Sequence, residues 1–321
     1  MLDHKAATKE KIKSLENHKG ACEKYCNAMI TLFSDENQKL PVMLEIIRDD
    51  SFLQLIGILN DLTKQEISVS YLIFKNMIKS ENEEIKLYLK LHFEMIVNSL
   101  LNNLNSIHDN YSIIIVGKEI RKLMKNKNFL ENILNFGILQ KLFVLSESDN
   151  FILSKECLKV ISFLFESPKI SSDIVSDYIE KKETDVSALF TEHAVVSEEE
   201  DQQKKDRFYY LQRESLRLLE NIYKNPKFEN FTKKASNNLS NLKKIMILLN
   251  NKSNKIMVQA IYLLAFFFND IEYKTQRIRE TLLSNKTNFE QFFAHNNIPE
   301  IEETKNCILY ELERLNNLLE K

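Results

Sequence analysis

Apolar residues along this chain come in paired segments separated by polar breaks. Residues 52–59 are followed by 67–78, residues 95–101 by 111–124, residues 138–145 by 151–165, and residues 242–249 by 256–268. In the first members the apolar positions fall at helical spacing, as at Leu242, Ile245, Met246 and Leu249, which puts them on one face of an amphipathic helix. The second members are apolar nearly all round, the pattern of helices covered on several sides. Asn150, Ser253 and Asn254 stand where these second helices need N-terminal caps.

The pairs recur with a period. Leu59, Leu101, Leu145 and Leu249 end the first members and lie about 42, 44 and 104 residues apart, the spacing of armadillo or HEAT units, with two units and an insertion in the longest interval. A helix pair of this kind has too much apolar surface to bury alone, so neighbours stack. The pattern therefore predicts an all-α fold, an armadillo/HEAT-like right-handed α-solenoid of about six helical repeats, formed as a single domain over residues 1–321. The segment to about Lys19 reads as an amphipathic helix within an N-terminal cap over 1–40. Ile301, Ile308, Leu312, Leu315 and Leu319 mark a closing helix over 300–321. Between 181 and 207 the periodicity fades, and Glu198, Glu199, Glu200 and Asp201 meet Lys204, Lys205, Asp206 and Arg207. That stretch reads as an inserted charged loop, although the same Glu/Lys pattern also suits the extension of a solvated helix.

Composition strengthens the helical reading. The chain has four glycines and four prolines, where average usage would give roughly 22 and 16. Sheet turns and phosphate-cradling loops draw on those residues, so a chain this poor in both spends its length in helices. A net charge of -2 with 28% charged residues describes a mixed surface and gives no electrostatic reason to expect nucleic acid or anionic membrane. The most apolar run, 256–268, spans about 20 Å as a helix, short of a bilayer, and no signal peptide opens the chain. Four cysteines, at 22, 26, 157 and 307, show no disulfide framework. A cytoplasmic protein is expected.

The constellations of catalysis are missing: there is no Gly-rich phosphate loop and no Gly-x-Ser-x-Gly elbow. Cys22 and Cys26 lie one helical turn apart with His18 nearby, but a structural zinc needs a fourth ligand and none is close in sequence. His92, Phe93 and Glu94 echo a deaminase fragment without the Pro-Cys-x-x-Cys that would complete it. The basic run Lys118, Arg121, Lys122, Lys125 and Lys127 has no aromatic interleaving for RNA and reads as a solvated helix face. With no tryptophan, the chain also lacks the Trp and Asn ladder of importin-type armadillo readers. No enzyme activity, cofactor or metal is expected.

The C-terminal third is more specific. Tyr210-Leu-Gln-Arg213-Glu-Ser215-Leu-Arg-Leu-Leu219 and Asn241-Leu-Lys243-Lys-Ile-Met246-Ile-Leu-Leu249 are followed by Lys252-Ser253-x-x-Ile256-x-x-x-Ala260, by Lys274-Thr275-Gln276-x-Ile278, and by Leu282-Leu283. Together these segments resemble the calcium-binding protein 39 (mouse protein 25) scaffold family. Ser148-Asp-Asn-Phe151 and the helix after it also fit, whereas before residue 130 the resemblance is one of pattern. The resemblance implies a non-catalytic armadillo-like scaffold whose concave face binds a sterile-20-like kinase or pseudokinase and favours its active state. It also implies a separate C-terminal pocket for a Trp-Glu-Phe type peptide tail.

On the concave face the resemblance places Phe151 and Arg213, and Arg213, Arg217, Glu220 and Lys224 share one helical face by their spacing. Phe151 equally suits a core position, and Arg213 a plain surface ion. For the tail pocket it places Met246 as a deformable apolar wall and Lys243 as a cation for the ligand's Glu. Two departures stand out: a further arginine and phenylalanine of the family's concave face fall here on Pro226 and Glu229, with Lys227 and Phe228 adjacent as substitutes. The family name's calcium has no twelve-residue Asp-x-Asp-x-Asp-Gly loop to hold it. The second reading, should that surface be degraded, is a generic armadillo adaptor for cytoskeletal or trafficking partners.

Overall fold

The computed structural model describes residues 36–48, 52, 53, 56, 64–106, 110–167, 169, 170, 172–182, 202–296 and 298–319. The described residues form sixteen α-helices and three short 3-10 turns, with no strand among them. They divide into two compact units between Phe136 and Gly137. Gly137, at φ 74°, ends one helix and opens the next in a left-handed conformation that a β-carbon would strain.

The N-terminal unit contains α1 (Glu36–Arg48), α2 (Lys64–Lys79), α3 (Glu83–Leu91), α4 (Phe93–Ser106), α5 (Asn110–Met124) and α6 (Lys127–Asn135). Helix α5 is its centre and packs against α2, α4 and α6. Aromatic pairs fill the layers: Phe52 stacks on Phe74 at 5.6 Å and Phe93 on Phe129 at 5.7 Å. His92 and Phe93 are thereby accounted for, the first with its ring against Tyr88 and the second buried. The basic run follows α5 and the start of α6 and lies over the buried carboxylate of Glu119, which bonds Lys122. Burial pushes that carboxyl up, and the Lys122 bond opposes it.

The C-terminal unit contains α7 (Ile138–Ser146), α8 (Phe151–Glu166), α9 (Ser172–Lys181), α10 (Gln202–Lys224), α11 (Glu229–Ala235), α12 (Leu239–Leu248), α13 (Asn254–Phe268), α14 (Gln276–Ser284), α15 (Lys286–His295) and α16 (Glu302–Leu319). Helices α8, α10, α13 and α16 form a row in which each packs on the next, with α7 against α8 and α12 against α13. This is the stacking that the all-round apolar second segments require. The expected closing helix is α16, anchored by buried Ile308, Leu312 and Leu315, with Ile301 buried in the turn before it.

Caps fix where the row's helices begin. Asn150 Oδ1 accepts from the backbone N–H of Ile152 and Leu153 at 3.0 and 3.2 Å. Ser253 holds the N-cap position of α13 without a side-chain bond to the helix, and Asn254 is the first helical residue. Helix α10 starts at Gln202, so the last residues of the stretch 181–207 are helical rather than loop. Residues 183–201, the N-terminal segment before 36, Cys22, Cys26 and His18 lie outside the described residues. Deeper in this unit Lys274, 7% exposed, donates to Ser236 Oγ at 2.6 Å and to the Phe266 carbonyl at 3.1 Å, joining the end of α11 to α13.

Candidate partner-binding surface

The Asn150 cap sets the position of Phe151. Because Asn150 is extended and α8 starts immediately after it, Phe151 is the first helical residue and 45% exposed, a surface position rather than a core one. Its ring meets Tyr210 of α10 edge-on at 5.3 Å. The Arg213 guanidinium lies 6.0 Å from the centroid of the same Tyr210 ring and donates to Glu214 Oε1 at 2.9 Å. Two aromatic rings and a cation thus follow one another across the α8–α10 face, the residue types that anchor protein interfaces. Burial raises the Tyr210 hydroxyl pKa, with the Glu214 charge adding to it, so the phenol stays a neutral donor.

One turn on, Arg217 works differently from Arg213. Its Nε donates to Glu214 Oε2 at 2.9 Å, one terminal nitrogen donates to Glu166 Oε1 at 2.7 Å, and the other reaches Ser162 Oγ at 3.4 Å. Asn221 and Ser162 also donate to Glu166. Burial pushes the Glu166 carboxyl up, but these bonds and the Arg217 charge more than offset it and hold it below the usual carboxylate range. Lys224 pairs with Glu220 and places its ammonium 5.2 Å from the Tyr262 ring of α13. The spacing of 213, 217, 220 and 224 thus delivers one face, on which every cation has an acidic partner. Glu166 and Glu214, which organise that face, were missed; Glu214 lies at i, i+3 from Arg217, but Glu166 comes from another helix and left no local signal.

The edge beyond α10 differs from expectation. Pro226 opens a 3-10 turn over Pro226–Phe228, and Asn225 caps it by accepting from Lys227 N–H at 3.1 Å. The turn swings Phe228 inward, where it is 3% exposed and meets Phe165 edge-on at 6.2 Å. Phe228 is a core residue and offers no ring to a partner. Lys227 stays exposed, its carbonyl accepting from Ser176 Oγ at 3.0 Å. Glu229 is exposed and paired with Lys233. Between the ends of α8 and α10 lies an open cleft of about 340 Å³, lined by Phe165, Glu166, Asn221, Ile222, Lys224 and Asn225.

On α12, capped by Asn238, Lys243 is exposed and Met246 half-buried. Ile247, one helical turn after Lys243, is 58% exposed, an apolar side chain in solvent next to a cation. Among the described residues no three His, Cys, Asp or Glu side chains group to hold a metal ion. No described helix is long and apolar enough to cross a membrane. Cys157 is buried, which pushes its thiol up to about 12, and Cys307 is exposed; both are free thiols.

The family model described as Mo25-like matches residues 2–316. No individually curated protein sequence matches the chain. Among solved structures, a designed armadillo repeat protein in complex with the peptide (KR)4 aligns with a TM-score of 0.45 and 15% identity, over 81% of this chain and 99% of its own. A second designed armadillo repeat protein gives 0.44 and 13%, over 81% and 99%. An engineered protein from a structural genomics consortium gives 0.47 and 13%, over 83% and 97%.

Proposed function

The chain belongs to the Mo25-like family, and from that premise we propose that it is a non-catalytic cytoplasmic scaffold that binds a sterile-20-like kinase or pseudokinase and favours its active conformation. The observation that carries this reading is the track formed by exposed Phe151 with the half-buried Tyr210 and Arg213 beside it. A ring nearly half in solvent at the start of a capped helix costs hydrophobic free energy that a docked partner recovers. Arg213 keeps donors beyond those it gives Glu214, and its planar fork suits a carboxylate or carbonyl on the partner. Allostery then requires only that the face bind the closed kinase better than the open one.

A second contact supports the same reading. Exposed Lys243 and Ile247 with half-buried Met246 support a site for a Trp-Glu-Phe tail, with Met246 as the deformable apolar wall and the Lys243 ammonium set for the ligand's carboxylate. Two weak contacts on one partner raise each other's effective concentration.

Fluorescence titration with a peptide ending in Trp-Glu-Phe tests the tail site. Binding with Kd below about 100 μM, near -5.5 kcal/mol, and weakening in Met246→Ala are expected. On the α8–α10 face, Arg213→Ala should lower activation of a bound kinase while leaving the melting temperature unchanged. Absence of both peptide binding and kinase activation would instead favour an adaptor for non-kinase partners.

A further inference from the structure

We propose that the line of exposed apolar side chains along α3 and the start of α4 is a self-association surface, which takes a second copy of this chain in an antiparallel, two-fold arrangement. The inference uses residues of the N-terminal unit alone and does not depend on the scaffold reading. Its first support is the pattern of exposure. Leu87, Leu91 and Met95 are 57%, 72% and 54% exposed and follow one another at intervals of four residues. The His92 N–H donates to the Tyr88 carbonyl and the Ile96 N–H to the His92 carbonyl, both at 3.0 Å, so helical spacing carries through the junction of α3 and α4. Three consecutive turns thus show apolar groups on one side, while Ile85, Leu89, Phe93 and Ile96 fill the core on the other. A continuous apolar line of this kind marks an interaction surface, unlike the single exposed residues that any protein carries.

The second support is charge, and it names the occupant. Toward the start of α3 the ions are already matched: Lys86 lies between Glu81 and Glu83, and Arg48 is set on Glu84. Lys90 and Glu94, both exposed, flank the same side of the apolar line by their helical spacing and take part in no ion pair among the described residues. They stand one turn apart with the cation first, the order less favourable for pairing within a helix. One unmatched charge of each sign beside an apolar line is a pattern complementary to itself. A two-fold axis through Leu91, perpendicular to the helix, sets residues at equal distances before and after it against each other: Leu91 on Leu91 of the second copy, and Leu87 on Met95 of the second copy. Lys90 and Glu94 of the second copy then lie on the same side at heights about 3 Å apart, within reach of an ion pair, and the symmetry forms that pair twice. A partner of one charge sign would leave Lys90 or Glu94 unmatched, whereas a second copy matches both.

The contact is small, since a stable interface uses about 20–30 residues a side, so association is weak, with Kd on the order of 100 μM. Sedimentation equilibrium of the full chain from about 10 μM to about 1 mM tests it, with the helical content of each variant checked by circular dichroism. Wild type should move from the monomer mass toward twice that mass across the range. Lys90→Glu and Glu94→Lys should each weaken self-association by about tenfold or more by setting like charges together, and Leu91→Asp should abolish it. An equimolar mixture of Lys90→Glu with Glu94→Lys should recover association, because every pair across the axis is then of opposite sign. A wild type that stays monomeric throughout the range overturns the inference. So does a single charge variant, or Leu91→Asp, that associates as wild type does. A mixture that remains monomeric overturns it as well, because the two-fold pairing of Lys90 with Glu94 requires the recovery.

Discussion

Lys274 allows a quantitative test of how the C-terminal unit is held together. The side chain is 7% exposed, yet its ammonium reaches only a serine hydroxyl and a backbone carbonyl, with no carboxylate in bonding contact. Burial pushes its pKa down from 10.5 to about 8, with the charge of Asp270 opposing. A depression of that size corresponds to about 3 kcal/mol of strain in the charged form at neutral pH. Between the two values the unfolded chain binds the proton and the folded chain does not, so stability rises with pH across that window. From pH 7 to pH 9.5 the gain is about 2 kcal/mol.

Lys274→Met removes the titration. At pH 7 it leaves two acceptors short of a donor, which costs about 1–3 kcal/mol each, and it relieves a charge strain of similar size. The net change at pH 7 should therefore stay within about 3 kcal/mol. The informative quantity is the difference between wild type and variant in urea unfolding at pH 7 and pH 9.5, which cancels every other titrating group. Wild type should gain about 2 kcal/mol on the variant over that interval. If Lys274 acted instead as an ion pair with Asp270, its pKa would be raised above 10.5, both states would hold the proton through pH 9.5, and the two profiles would run parallel over this interval. Parallel profiles, or a loss, would refute the buried-cation account.

Three further outcomes are expected. Glu166→Gln should cost about 1–2 kcal/mol at pH 7, discounted for partial exposure. Because the folded-state carboxyl lies below its ordinary value of 4.5, that contribution is complete above pH 4.5 and disappears as pH falls through the folded value, so the variant's acid unfolding limb should be shallower. An unchanged acid limb would mean that the bonds to Glu166 hold nothing. Asn150→Ala should lower stability by about 1 kcal/mol through loss of the α8 cap, read by urea denaturation; no change would show that Phe151 is placed by packing alone. Phe151→Ala should alter stability by less than about 1 kcal/mol and weaken kinase-domain affinity at least tenfold, about 1.4 kcal/mol. A large stability loss with intact affinity would return that ring to the core.

Legibility followed the range of the interactions. The paired segments at 138–145 with 151–165 and 242–249 with 256–268 became α7 with α8 and α12 with α13, because helical periodicity and burial are written in neighbouring residues. Asn150 was readable as a cap for the same reason. The extent of the charged insertion was harder, since a run of Glu, Gln and Lys is both a good solvated helix and a good loop; the helix begins at Gln202. Glu166 shows the limit. Its partners Arg217 and Asn221 sit on a different helix, and only the stacking of α8 on α10 turns three separate polar residues into one network.

Phe228 makes the same point at higher stakes. Its identity and its place beside Pro226 and Glu229 were plain, and the departure from the family pattern at this edge could be read directly. Which way the ring pointed could not. That depends on a turn of three residues, in which proline fixes one dihedral and Asn225 supplies the bond that closes it. A ring on the outside of such a turn would be a knob for a partner; on the inside it becomes part of the floor under α8. Sequence comparison at this edge therefore finds the residue type preserved nearby while the ring itself is withdrawn from the surface.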